Sequence, residues 1–546
     1  MLKKIYNSKT KTITFTAALL ALSGILSRVL GLLRDRLLAG NFGAGQQLDI
    51  YFAAFRIPDF VYGILIAGGV GAAFLPVFSK YFKEEDEKWS KESLELVNNV
   101  LNCFFLILIA VCSIIALFAP FFVSLVIPGF EGESRKLTID LTRIMLFSPI
   151  LFGLSGIFSG VLHYFNRFFA YSLAPILYNL GIIFGIVFLV PIFGIFGLAY
   201  GVILGAFFHL IVQVPAAFSS GYRYIPVFNF NFPGLRKIFF LMIPRMAAVA
   251  VSHINLIVIT AIASTLAVGS IAVFNFSNNL HYFPVGIIGF SFAISSFPTF
   301  SKFWANGQKA EFFKNLSSSV RQILFLIVPA SFLMFLLRAQ IVRVVLGTGQ
   351  FGWLETRLTV ASLGIFCLGI FASGLVPLLS KAFFALHDTK TPLIIGFFSV
   401  ISNISFSLFF VFLLNGSNFF SFFMRDILKL YGIENIEVIG LPLALSISAV
   451  FQFFLLFFFL YKKIGDFGMK EIYDSLMRIM FGCIFMSVTV YYSLWFLSNY
   501  VDMRTFFGVM SQALISGALG GVVYLSILVI INAPEIKSIK RMLYLK

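Results

Sequence analysis

Long apolar runs, each interrupted by a short polar stretch, set the pattern of this chain. The strict apolar and polar alternation of barrel strands is missing, and one helical crossing of a bilayer takes about 20 mostly apolar residues. On that measure the pattern predicts about 14 spans, near 14–38, 49–79, 97–126, 138–163, 171–191, 195–217, 238–263, 269–300, 319–346, 358–384, 391–415, 438–461, 474–497 and 506–532. The expected fold class is an all-α polytopic membrane protein.

The polar stretches orient the spans. The basic start MLKKIYNSKTK leads into the first apolar run with no small-residue cleavage site after it, so the run is read as an uncleaved span with the N-terminus in the cytoplasm. The alternate loops KYFKEEDEKWSKES, GYRYIPVFNFNFPGLRK, SKFWANGQKAEFFKN and YKKIGDFGMK, with the tail KSIKRMLYLK, then hold roughly 20 Lys and Arg against about 6 on the other side. Both termini are expected inside.

The pattern also repeats. AFLPVFSKYF (73–82) ends the second span and SSFPTFSKFW (295–304) ends the eighth; Pro76, Ser79 and Lys80 return as Pro298, Ser301 and Lys302, 222 positions later. HYFNRF (163–168) and ALHDTKTP (385–392) echo each other at nearly the same offset. This predicts two pseudo-symmetric six-helix lobes, 1–222 and 223–465, around a central cavity, with 466–546 adding two helices and a basic tail. Parallel repeats of this kind are a transporter plan with the substrate site between them.

Composition fits a bilayer: 60% of residues are hydrophobic, 12% are charged and the mean hydropathy is +0.98. The net charge of +17 lies mainly in loops, which points to membrane orientation and away from nucleic acid. The 72 phenylalanines are spread over all spans as packing and lipid-facing bulk. Cys103, Cys112, Cys367 and Cys483 lie in apolar runs without metal-ligand spacing, so neither a disulfide framework nor a zinc site is expected. Walker, nucleophile-elbow and HExxH motifs are absent from the sequence.

Against this background the charged residues inside spans stand out, since an ionised side chain at mid-bilayer costs roughly 2.5–3.5 kcal/mol and faces a cavity or a partner. The first two spans carry Arg28, Arg34, Asp35, Arg36, Asp49, Arg56 and Asp59. Arg28 and Asp35 are seven apart, as are Asp49 and Arg56, and Arg56 and Asp59 are neighbours at i,i+3, so each pair shares a helix face. Pro58 should kink the second helix beside them. Arg28 lies near mid-span and reads as cavity-lining; Arg34 and Arg36 read either as cavity residues or as snorkelling anchors. Asp35 and Asp59 fit a cavity network and local ion pairing equally. The seventh and eighth spans carry Arg245, His253, Asn255, Asn275, Asn278, Asn279 and His281, which suit either a lined cavity or interhelical hydrogen bonding. Arginine in excess suits an anion, and guanidinium holds a pyrophosphate bidentately. The glycines of IAGGVGAAF (66–74) serve close helix packing or a hinge.

SRVLGLLRD (27–35), DIYFAAFRIPD (49–59) with AAFLPVF (72–78), NRFFAYSLAP (166–175) and FFALHDTKTP (383–392) together resemble the MurJ (MviN) lipid II flippases of the multidrug/oligosaccharidyl-lipid/polysaccharide exporter superfamily. The resemblance covers nearly the whole chain. It implies a transporter, not an enzyme, in a bacterial inner membrane, which moves lipid II from the inner to the outer leaflet by alternating access for cell-wall synthesis, without a cofactor and as a monomer. By the same resemblance Arg28 and Arg34 hold the pyrophosphate, with Asp35 and Asp49 beside them, and the last two spans form a groove for the polyprenyl tail. Flippases for other polyprenyl-linked glycans, or cation-coupled drug exporters of the superfamily, are the alternatives.

The sequence departs from the family at two positions where well-studied members carry arginine, here Tyr62 and Asn279, and at an acidic position, here Tyr282. Asn403 matches one ligand type of a sodium site that some members carry, but Ser407 stands where an acid would be expected; membrane potential or protons are the other candidate couplings. Arg245, after Pro244, is the candidate for a compensating cavity charge. Arg245→Ala should then abolish complementation of a flippase-depleted strain, and normal growth of that strain would remove Arg245 from the site.

Overall fold

The computed structural model describes residues 13–82 and 89–536. These residues build fourteen long helices in chain order: α1 (Ile13–Phe42), α2 (Gln46–Tyr81), α3 (Lys91–Leu117), α4 (Gly132–Tyr164), α5 (Phe168–Phe193), α6 (Phe196–Ser219), α7 (Pro233–Ser264), α8 (Ser270–Ala305), α9 (Lys309–Leu336), α10 (Trp353–Cys367 with Ile370–Ala385), α11 (Lys390–Leu414), α12 (Glu437–Ile464), α13 (Met469–Leu497) and α14 (Phe506–Ile530). Among the described residues eleven helices are long and apolar enough to cross a membrane, or thirteen if bent α7 and bent α10 each count as one span. α1 is outside that set, so the fourteenth crossing rests on the sequence pattern. Large side chains such as Leu117, Phe412 and Trp495 point outward, with Phe412 77% exposed, as a lipid-facing surface requires. The four cysteines are free and buried.

Pro58 is accommodated within an α-helical stretch, Gln46–Val61, and the irregularity follows it as a π-helical segment, Tyr62–Val70, before the α-helix resumes at Gly71. The same device recurs in α8, where Pro284 precedes a π-segment, Val285–Gly289. Further features recur near the offset of the sequence repeat. Asn166 and His387 both adopt left-handed backbone, with φ of 54° and 57°, and the short helices Ala119–Val126 and Arg338–Val345 follow α3 and α9.

The described residues form two compact units, Met1–Ile271 and Ala272–Lys546. This division by contact falls after α7, whereas the sequence repeat divides near residue 222. In the first unit, Phe78, Phe82, Trp89, Tyr164 and Phe165 pack ring on ring at one end, and the Trp89 indole donates to the Ser220 carbonyl at 2.8 Å. Next to this cluster three buried asparagines of α3 grip the segment that joins α6 to α7. Asn98 bonds Arg223 and Ile225, Asn99 exchanges two bonds with the Asn229 backbone at 2.6 and 2.8 Å, and Asn102 bonds Val227 and the Tyr224 hydroxyl. Their side chains take the place of a strand partner for backbone groups of a segment without helix or strand.

In the second unit, α13 and α14 are fastened to α9. The Tyr524 hydroxyl donates to the Phe325 carbonyl at 2.8 Å, and the buried Glu535 carboxylate accepts from Arg321 at 3.3 Å and from the Ser475 hydroxyl at 2.9 Å. In the turn between α10 and α11, Asp388 accepts from the Thr391 N–H and hydroxyl at 3.0 and 2.8 Å and from the Lys463 ammonium at the end of α12. The DTKTP motif is therefore a cap on α11 that also ties down α12. Burial alone would raise the Asp388 carboxyl, but the bonds from Lys463 and Thr391 outweigh it and hold the group at about 2. A depressed carboxyl stabilises the fold above its ordinary range and loses that contribution as pH falls from about 4 toward 2. Acid melts of the purified protein should show this loss, and Asp388→Asn should flatten it; identical acid profiles would contradict the role of the cap.

Candidate functional site

An apolar helix carries an arginine only if its charge is paired, and α1 supplies the partner from the next residue. Arg34 Nη2 and Nε donate to Asp35 Oδ1 at 2.8 and 3.0 Å, and Nη1 reaches Asn179 Oδ1 on α5 at 3.5 Å. Asp35 is only 3% exposed. Asn179 in turn donates to the Ser27 carbonyl and hydroxyl, both at 3.2 Å, so α5 holds α1 at two points about two turns apart.

Arg34 opens onto a cavity of about 300 Å³ within the first unit. Phe55, Pro58, Asp59 and Tyr62 of α2 line one side; Ser148 and Phe152 of α4, Pro175 and Tyr178 of α5 and His209 of α6 complete it. Phe152 is the centre of the aromatic wall, with Tyr62, Tyr178 and His209 at ring distances of 5.0, 5.1 and 5.1 Å. Behind the wall, His209 Nδ1 lies 2.7 Å from the Ser155 hydroxyl, Gln213 donates to that hydroxyl at 2.7 Å, and Ser159 donates to Gln213 at 2.7 Å. The pairing leaves the His209 ring fixed as part of the lining.

Asp59 is the cavity's acid, and α7 meets it from outside the lining. His253 Nδ1 lies 3.5 Å from Asp59 Oδ2. The ring rests on the backbone of α2 at Gly63, where an added Cβ would lie 2.0 Å from Nε2. Gly68 and Gly69 continue the contact, with Val249 and Met242 of α7 over them. The glycine run thus acts in close packing of α2 on α7. One turn before Asp59, Arg56 Nε donates to the Thr260 hydroxyl of α7 at 2.8 Å.

The structure thus brings Arg34, Asp35, Arg56, Asp59 and His253 together. Two arginines face two aspartates, so this part of the site is charge-balanced rather than basic. Asp49 lies apart: its buried carboxylate accepts the Gly269 N–H at 2.6 Å, where φ of +91° and the close Ala44 carbonyl demand glycine. Arg28 and Arg36, both half-buried, and Arg245, exposed on α7, lie outside the cavity lining, as does Asn255, whose Oδ1 is buried without a hydrogen-bond partner.

In the second unit, His281 is 1% exposed and stacks on Phe366 of α10 at 4.7 Å; its Nδ1 and the Asn278 Oδ1 are buried without hydrogen-bond partners. Asn279 is half-buried and Tyr282 exposed. Asn403 is 1% exposed with both amide atoms unpartnered, and the Ser407 hydroxyl one turn on is also unpartnered. These are neutral donors and acceptors without a carboxylate, and among the described residues no cluster of His, Cys, Asp or Glu could hold a metal ion. A second cavity of about 780 Å³, almost wholly apolar, lies among α9, α10, α12 and α13, with Phe332, Phe371, Phe457 and Met480 in its walls.

A family model described as "Lipid II flippase MurJ" matches residues 38–511. The chain belongs to the MurJ family. Among its relatives, the "Probable lipid II flippase MurJ" of Buchnera aphidicola (subsp. Acyrthosiphon pisum) is 30% identical over 499 residues, which cover 89% of this chain and 93% of the relative. The "Lipid II flippase MurJ" of Burkholderia cenocepacia is 28% identical over 69% of this chain and 74% of its own. A solved MurJ in an "inward closed conformation" superposes with a TM-score of 0.75 at 25% identity, covering 94% of this chain and 98% of that one. An inward-facing multidrug resistance MATE family transporter of the MOP superfamily shares the fold, with a TM-score of 0.65 at 16% identity over 81% of this chain and 95% of its own.

Within this MurJ-type fold, sequence reasoning singled out the charged members of the site and missed Tyr178, Asn179, His209 and Thr260. His209 and Gln213 at i,i+4 on a helix otherwise apolar were the available signal. The Gly63 contact generates a direct test. Gly63→Ala should force the His253 ring off α2 and weaken the α2–α7 contact by about 1–3 kcal/mol, as overpacking does. Thermal unfolding of the purified variant measures this, and an unchanged midpoint would contradict the contact.

Proposed function

We propose that this protein flips lipid II from the cytoplasmic to the outer leaflet of a bacterial inner membrane by alternating access, with both termini in the cytoplasm. The observation that carries this reading is the MurJ family match over residues 38–511, together with the likeness to a solved MurJ along nearly the whole chain. The two cavities supply matching chemistry. Arg34, held by Asp35 and Asn179, lines the first cavity as the cation for the pyrophosphate, and Arg28 and Arg245 are the further cations of its path. The apolar cavity of the second unit suits an isoprenoid chain, which contributes about 0.8 kcal/mol for each CH₂ taken out of water. Membrane potential is a sufficient drive in principle, at about 2.3 kcal/mol per charge per 100 mV.

Expression in a strain depleted of its own flippase tests the proposal. Growth should be restored, and a leaflet-specific assay should show lipid II reaching the outer face. Arg34→Ala should lower the flipping rate by roughly tenfold to a hundredfold, which corresponds to losing one charge-assisted contact of about 1.5–3 kcal/mol. Good expression without rescue would shift the substrate to another polyprenyl-linked glycan.

A further inference from the structure

The Asp59 carboxylate poses a problem for the proposed substrate, because it lines the same cavity as Arg34. A pyrophosphate entering there meets a like charge at close range. The structure places a titratable partner beside that acid. His253 comes from a different helix, its Nδ1 faces Asp59 Oδ2 at 3.5 Å, and Gly63 clears the space in which the ring sits. The contact falls at the start of the π-segment Tyr62–Val70, a kind of irregularity that marks functional sites in helices.

We propose that Asp59 and His253 form a proton-binding couple whose occupancy controls the affinity of this cavity for an anionic head group. The proposal rests on the flippase reading. With Asp59 ionised and His253 neutral the couple carries one negative charge; with one proton bound it is neutral, whichever group holds the proton. The charged and titratable groups facing it are Arg56 and Tyr62 on α2, Arg34 on α1, Tyr178 on α5 and His209 on α6, while α4 contributes only Ser148 and Phe152. Arg34 and Asp35 cancel, and Arg56 offsets the ionised couple. The unprotonated site is therefore neutral, and one proton from water makes it cationic. Imidazole is the side chain suited to exchange a proton in such a couple. Linkage then requires reciprocity: the proton tightens anion binding, and the bound anion tightens the proton by the same factor. Outward release of the head group would free the proton on the same side.

The experiment is lipid II flipping in proteoliposomes at pH 6, 7 and 8, a range in which the pyrophosphate diester keeps its charge. The wild-type rate should fall by about tenfold from pH 6 to pH 8, as a coupling of this size implies. Asp59→Asn should flip at the fast rate throughout, and His253→Gln should lose most of the dependence and stay slow. A purely structural role for the pair would lower rates without changing the profile, and variants that keep the wild-type profile, or a wild type without one, would overturn the proposal. A second measurement does not depend on transport. The five histidines can be followed by NMR against pH in the detergent-purified protein, with His253→Gln identifying the signal of His253. In Asp59→Asn its titration curve should move. An unmoved curve would break the couple even if lipid II is flipped, while a moved curve without flipping would leave the couple intact and remove the substrate reading.

Discussion

A guanidinium inside an apolar helix bundle must find a carboxylate, and the site takes its shape from that demand. Arg34 bonds Asp35 on its own helix, and because one carboxylate cannot satisfy all its donors, the remaining edge turns to Asn179. Asn179 is then positioned to hold the backbone at Ser27 as well. The charge pairing that makes Arg34 tolerable thus also fixes α1 against α5 and leaves a guanidinium at the cavity wall. A buried pair is seldom a large net gain in stability. Its value here is orientation, since the arginine presents itself in one direction without support from a loop.

Charge balance changes how the site is read. Counted along the sequence, the first two spans are rich in arginine and suggest a basic cavity. In space Asp35 stands against Arg34, and Asp59 lies one turn from Arg56, so little net charge remains in that part of the site. Asp49, which falls on the Arg56 face by helical spacing, is engaged by the Gly269 N–H and holds a turn. Helical spacing identifies which residues share a face, but the partner on another helix decides whether a charge is free to act.

The fold was legible for reasons of period and length. Apolar runs of bilayer length dictate helices, and the 222-residue echo of Pro76, Ser79 and Lys80 in Pro298, Ser301 and Lys302 is accompanied by recurring π-segments after Pro58 and Pro284 and by left-handed residues at Asn166 and His387. The residue types of the site were legible too, because charges in apolar runs are conspicuous. Their partners were not. The Asn179 bond to Arg34 spans 145 positions, the Thr260 bond to Arg56 spans 204, and His253 meets Asp59 from five helices away. No local pattern encodes such meetings. Tyr178 and His209 were hidden for a related reason: on apolar helices an aromatic or a lone histidine looks like packing until a cavity opens beside it.

The asparagines of α3 bear on the mechanics of α7. A connecting segment is normally a slack tether that lets the helices it joins move independently. Here Asn98, Asn99 and Asn102 clamp residues 222–229, so the foot of α7 is a fixed pivot. α7 itself is bent by 41° between Pro233–Ala247 and Val249–Ser264. With its base clamped, any rotation of the upper arm would concentrate at that bend, and that arm carries both His253 and Thr260. α7 is anchored just ahead of its first turn, and the contacts of His253 and Thr260 to α2 lie beyond the bend.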